Sequence, residues 1–173
     1  MWTRRALAAA GAVIAVCLTA AIPARAQDEL PEPDGRVLLT ISGEIAVTNR
    51  GGEAAFDRAM LQNLGMRELR TRTDWTEGEQ VFKGPLLRTV LDRVGADGTT
   101  LEAIALNDYS VEIPAADADD HEVIIAMRRN GERMTVRNKG PLWVVYPHPH
   151  PGSDKPNPHA PKMIWQLAKI DVR

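Results

Sequence analysis

Lys139-Gly140-Pro141-Leu142-Trp143-Val144-Val145-Tyr146-Pro147 is the stretch on which the reading of this chain turns. A Gly-Pro break is followed by an unbroken apolar and aromatic run and then a second proline, so Leu142 to Tyr146 reads as a short bounded strand. If Val144 faces the core, strand alternation puts Trp143 and Val145 on the opposite face. Trp143 is then either a buried core residue or a ring offered to a ligand.

Working outward, the segment His148 to Pro161 holds five prolines and three histidines. It reads as a stiff, extended loop with little room for helix or strand. Ile164 to Val172 beyond it is a closing strand. Upstream, Val123 to Arg129 and Glu132 to Arg137 flank Asn130-Gly131, a pair that tolerates positive φ and makes a tight hairpin. Leu101 to Leu106 and Tyr109 to Ile113 are further strands, and Ala115 to Asp120 is a helical turn.

Pro85 stands at the first turn of a helix whose Leu86, Leu87, Val90, Leu91 and Val94 form one stripe, closed by Gly95. Phe56, Met60, Leu61 and Leu64 recur at helical spacing, which predicts a helix from Glu53 to Leu64. Val37 to Ser42 is the first strand. The sum is an α+β fold of mixed sheets with few helices.

The first 26 residues read as an export signal, with Arg4 and Arg5, an uncharged apolar run from Ala6 to Ile22, and Ala24-Arg25-Ala26 as the cleavage pattern. Thr3-Arg4-Arg5-Ala6-Leu7 has a weak likeness to a twin-arginine signal. Cleavage near Ala26 is expected to release a periplasmic protein that is not inserted in the membrane. Residues 27–35, with Pro31, Pro33 and several acids, are expected to be a flexible, solvated arm. The whole chain carries a formal charge of −2. The signal holds Arg4, Arg5 and Arg25 and no acid, so its loss makes the balance more acidic and argues against a nucleic-acid partner.

Four segments, in order, resemble the molybdopterin-binding domain of the sulfite-oxidase family. They are Phe82-Lys83-Gly84-Pro85-Leu86-Leu87, then Asn107-Asp108-Tyr109-Ser110-Val111-Glu112-Ile113-Pro114, then Asn130-Gly131-Glu132 with Met134, and Lys139-Gly140-Pro141-Leu142 with Val144, Val145 and Pro147. Ile164-Trp165-Gln166-Leu167-Ala168-Lys169-Ile170 resembles that family's last strand. The resemblance implies one such domain over residues 36–173.

Two departures from the family pattern bear on function. The enzymes place a metal-ligating cysteine ahead of the Gly-Pro-Leu helix start, where this chain has Thr71-Arg72-Thr73-Asp74-Trp75-Thr76. The only cysteine in the sequence is Cys17, inside the expected signal. The enzymes also tend to carry an arginine where this chain has Trp143. A thiolate is the soft ligand that molybdenum of this type takes. Exchanging it and the arginine for aromatic surface moves the pocket from metal and anion handling towards stacking on a flat ring.

With its signal peptide, size, missing cysteine, Thr-x-Thr-x-Trp and Gly-Pro-Leu-Trp-Val-Val-Tyr-Pro segments, the chain is similar to periplasmic pterin-binding regulatory proteins of this fold. The similarity implies a non-catalytic protein, not an enzyme, with no catalytic cofactor. Its ligand would be a reduced, molybdenum-free pterin, and its partner the periplasmic region of an inner-membrane cyclic-di-GMP cyclase or phosphodiesterase, in a pathway of biofilm signalling.

A pterin needs a flat aromatic partner, an acceptor for its aminopyrimidine edge and a donor for its carbonyl oxygen. Thr73, Asp74, Trp75, Asn107, Asp108, Tyr109, Lys139, Trp143 and His148 are the candidate ligand residues. Against these stand a turn role for Asp108 and a core role for Trp143. His148, His150 and His159 form a possible copper or zinc loop, though plain decoration of a stiff loop is the favoured reading. The alternatives are a molybdopterin-dependent oxidoreductase with an atypical site and a metal-binding protein using the histidines.

Overall fold

The computed structural model describes residues 29–153 and 155–173. The expected signal, its cleavage site and Cys17 lie outside the described residues. Among those described, no helix is long and apolar enough to cross a membrane.

Among the described residues, eleven strands form three sheets, accompanied by three short α-helices. Strands β1 (Val37–Gly43), β2 (Ala54–Asp57), β5 (Thr100–Ala105), β6 (Ser110–Pro114) and β11 (Leu167–Val172) make a five-stranded sheet in the order β2-β1-β11-β5-β6. Its one parallel pairing is β1 with β11. Strands β3 (Arg67–Arg72), β4 (Glu79–Gly84), β8 (Arg128–Arg129) and β9 (Glu132–Arg133) make a four-stranded antiparallel sheet. Between the two lies a ribbon of β7 (Ile124–Ala126) and β10 (Trp143–Val145). The α+β class with mixed sheets is as expected.

The ribbon explains the arrangement. Leu142, Trp143, Val144, Val145 and Tyr146 are all 0% exposed. Leu142, Val144 and Tyr146 join the main core with Leu39, Phe56, Val90 and Ile170. Trp143 and Val145 face the other way, into a smaller core with Leu69, Phe82, Ile124, Ala126 and Met134. The alternation read from the sequence holds, but both faces are dry. A continuous apolar run is the signature of a strand covered on both sides. The ribbon is also bonded at its margins: Ile125 N–H donates to the Pro85 carbonyl at 2.9 Å, and Val144 N–H to that of Ile164 at 2.9 Å.

The two glycines of the Gly-Pro breaks are where backbones meet. A Cβ on Gly84 would lie 1.9 Å from the Ile125 carbonyl oxygen, and one on Gly140 2.5 Å from the Met134 carbonyl carbon. The helix that follows, α2 (Leu87–Val94), buries Leu87, Val90, Leu91 and Val94 and ends on Gly95 in the left-handed region. It begins two residues after Pro85. Its first N–H donates to the Val123 carbonyl at 2.8 Å, which replaces a side-chain cap.

Several expectations need correction. The helix predicted over Glu53–Leu64 is a strand and a short helix: Ala54–Asp57 pairs with β1, and only α1 (Arg58–Asn63) is helical. Asp57 caps it, its side chain accepting the Met60 N–H at 2.9 Å. The single strand expected over Val123–Arg129 breaks at Met127, because β7 pairs with β10 while β8 pairs with β4. Residues 136–138 form a 3-10 turn instead of continuing the hairpin. The proline-rich loop holds a 3-10 turn, Ala160–Lys162. The helical turn near residue 117 is present as α3 (Asp117–Asp120). The described part of the arm, residues 29–35, makes contacts with the domain. Leu30 is 4% exposed in the main core, and the Asn49 amide donates to the Pro31 carbonyl at 2.6 Å.

Because Trp143 is enclosed by the second core, Trp143→Ala should lower the unfolding free energy by about 3–5 kcal/mol in urea titrations, the usual cost of emptying a buried tryptophan site. Unchanged stability would contradict the burial.

Candidate functional site

The outer edge of the second core is aromatic. Trp75, in the loop between β3 and β4, is 36% exposed and meets Trp165 edge-on at 5.1 Å. Trp143 stands behind them, 6.2 Å from each ring and 5.3 Å from Phe82. The Lys139 ammonium sits 4.2 Å over the Trp165 ring. Lys139 itself follows the 3-10 turn with φ of 74°, which directs its side chain back across the tryptophans.

Trp75 and Trp165 open onto a cavity of about 330 Å³, whose other walls include Asn107, Tyr109, Val111, Ala160 and Met163. The volume lies at the lower end of small-ligand sites. Tyr109 is 60% exposed at the rim. Next to Trp75 in the chain, Arg72, Thr73, Asp74, Thr76, His148 and Lys155 line a more polar recess of about 360 Å³.

The candidate residues therefore divide. Trp75, Asn107 and Tyr109 share the aromatic cavity, with Lys139 above Trp165. Thr73, Asp74 and His148 line the polar recess. Two stand apart from both spaces. Trp143 reaches neither space, and its indole N–H donates to the Met163 carbonyl at 3.3 Å. Asp108 turns the chain between β5 and β6 with φ of 65° and lines neither space. Its N–H donates to the Ala105 carbonyl at 3.1 Å, so the turn uses it.

Thr71 and Thr73 occupy the stretch expected to hold a thiolate in the family's enzymes, and their hydroxyls are engaged, one with backbone and one with a neighbouring threonine. Thr71 Oγ1 accepts the His148 N–H at 2.9 Å, and Thr73 Oγ1 lies 2.9 Å from Thr76 Oγ1. Asp74 accepts the Asn157 N–H at 3.1 Å, which ties this loop to the proline-rich one. The His148 ring is also committed. Its Nδ1 accepts the His150 N–H at 3.1 Å, which leaves the proton on Nε2 to donate to the Lys155 carbonyl at 3.0 Å. Among the described residues, no group of three His, Cys, Asp or Glu could hold a metal.

Sequence reasoning missed Trp165, read only as part of a closing strand, and a polar group behind the cavity. Tyr146 hydroxyl donates to Asp117 Oδ2 at 2.7 Å, and the Lys162 ammonium pairs with the same oxygen. His159 stacks on the Tyr146 ring at 4.9 Å and lies 4.5 Å from His121. Burial raises the Asp117 carboxyl, but the hydrogen bonds from Lys162 and Tyr146 outweigh it and hold the group below its ordinary range. Burial and the bond to Asp117 push the Tyr146 phenol well up. Burial, His121 and Lys162 hold His159 below the usual imidazole range, against the pull of Asp117. No local sequence pattern signals this group, because its members lie on three separate segments: Asp117 and His121 at α3, Tyr146 after β10, and His159 with Lys162 at the 3-10 turn.

The folded state binds a proton at His159 less readily than the unfolded chain does. Stability is therefore full above the ordinary imidazole range and falls as pH drops from there towards the lower folded value. His159→Phe, which keeps a ring on Tyr146, should flatten the dependence of melting temperature on pH between about 5 and 7. An identical slope in the variant would remove His159 from the account.

Residues 55–152 match the family model described as the oxidoreductase molybdopterin binding domain. Among solved structures, the sulfane dehydrogenase SoxCD from Paracoccus pantotrophus is similar, with a TM-score of 0.57 at 16% identity over 78% of this chain. That likeness is one of fold, and this chain spans 37% of the SoxCD chain. No curated protein matches the sequence. The expectation that the protein is not an enzyme is overturned here, because the family is one of oxidoreductase domains. By its matched family model and its fold, the chain belongs to the oxidoreductase molybdopterin-binding domain family.

Proposed function

We propose that the domain is a pterin-binding unit of the oxidoreductase type with an atypical metal position, and that the pterin lies in the cavity walled by Trp75 and Trp165. The observation that carries the reading is this pair of rings at the mouth of an otherwise apolar space. The Asn107 amide suits an aminopyrimidine edge, and the Lys139 ammonium adds a donor and a positive charge nearby.

The pterin and metal parts of the family's cofactor fare differently against these residues. The ring system suits the aromatic cavity. The metal part does not suit the stretch from Thr71 to Thr76, where hydroxyls engaged with backbone and with one another replace a soft ligand. A thiolate for molybdenum is therefore not supplied by the described residues, and no redox step is derived through it.

A second reading keeps the same cavity and adds a listener. Leu106 and Tyr109, 46% and 60% exposed, leave an apolar rim that a protein partner would cover. That partner would be the periplasmic region of a membrane-bound cyclic-di-GMP cyclase or phosphodiesterase, reached after export through the signal at residues 1–26.

Protein purified from its own host should release a fluorescent pterin on acid extraction. Trp75→Ala and Trp165→Ala should each weaken pterin binding by about 0.5–1.5 kcal/mol, up to roughly tenfold in affinity. Unaltered affinity in both folded variants would place the ligand elsewhere.

A further inference from the structure

On another part of the surface, β9, the start of α1 and the segment before β1 enclose a cleft of about 690 Å³. Arg36, Arg58 and Arg133 line it, above an apolar wall of Leu38, Met134 and Val136. Among the described residues, none of these three arginines has an ion-pair or side-chain hydrogen-bond partner. The arrangement is electrostatically unfavourable as it stands. Arg133 lies directly opposite Arg128 in the hairpin register, where like charges repel. Burial, then Arg133 and Arg128, depress the Arg58 guanidinium.

Asp34 and Asp57 line the same cleft and offset part of this charge, but neither forms an ion pair with the three arginines and three guanidiniums face two carboxylates. Asp57 spends its two carboxylate oxygens on the N–H groups of Gly35 at 2.8 Å and Met60 at 2.9 Å. Asp34 lies on the exposed rim. Beside the guanidiniums, Val136 leaves 51% of its surface in water. Guanidinium forks match phosphate oxygens two at a time, and repulsion among them is relieved when an anion arrives. An apolar wall beside the charges suits the organic part of such an anion.

We propose that this cleft is a second binding site, for a small phosphomonoester carried on an apolar or aromatic body. Arg58 and Arg133 grip the phosphate, Arg36 adds charge at the edge, and Val136 packs against the organic part.

The test is titration of the full chain with phenyl phosphate, followed calorimetrically at low salt. Saturable binding is expected, tighter than for inorganic phosphate and weakened by salt. Arg58→Gln and Arg133→Gln should each reduce affinity about tenfold. Lys169→Gln, an equal loss of charge on an exposed part of β11, should leave it unchanged. Since the arginines repel one another and make no ion pairs, both variants should melt at the same or a higher temperature and keep their pterin. Absence of saturable binding, affinity unchanged from the unsubstituted chain in both arginine variants, or a lower melting temperature that marks the arginines as structural would each overturn the proposal.

Discussion

Burial of β10 on both faces is the constraint from which the rest of the structure follows. A strand that is shut off from water together with its flanking Leu142 and Tyr146 needs a layer on each side, and the five-stranded and four-stranded sheets provide them. Its two large polar-tipped rings then fix what lies beyond. The Trp143 indole N–H is satisfied by the Met163 carbonyl and the Tyr146 hydroxyl by Asp117. An unsatisfied donor at either place would cost about 1–3 kcal/mol, so the Ala160–Trp165 segment and α3 are held against the strand. That segment is one wall of the aromatic cavity.

The site inherits its character from this support. Trp143 serves the cavity from behind, as the ring against which Trp75 and Trp165 lean, while those two supply the accessible surface. The polar recess next to it is built on hydrogen bonds between two loops, through Thr71 to His148 and Asp74 to Asn157. Side chains already spent in this way offer shape more than reactive groups. The family is one of oxidoreductase domains, yet the position expected to bind its metal here carries threonine hydroxyls engaged with backbone and with one another.

Much of the fold was legible because its signals were local. The Asn130-Gly131 turn, with φ of 50° and 81°, the α2 stripe with its Gly95 stop, and the alternation along β10 each depend on a few neighbouring residues. The errors arose where distant partners decided. Ala54–Asp57 has helical spacing in sequence but is claimed by β1 as a strand, and Val123–Arg129 is divided between two sheets. Strands β3 and β4, rich in charge, gave no apolar run to read. In the site, Trp75, Asn107 and Tyr109 were legible as exposed polar and aromatic positions at loops. Parity showed which way Trp143 points, but not that a second core waited there. Trp165 and the Asp117–Tyr146–Lys162–His159 group were hidden because only tertiary packing assembles them.

The central claim is that the ligand lies outside the second core, on Trp75 and Trp165, with Trp143 buried behind. A crystal structure of the domain with bound pterin tests it most directly. The account predicts the ring system against Trp75 and Trp165, bordered by Asn107 and the Ala160–Ile164 segment, with Trp143 still enclosed. A pterin stacked on the face of Trp143, or seated in the polar recess beside His148, would contradict it.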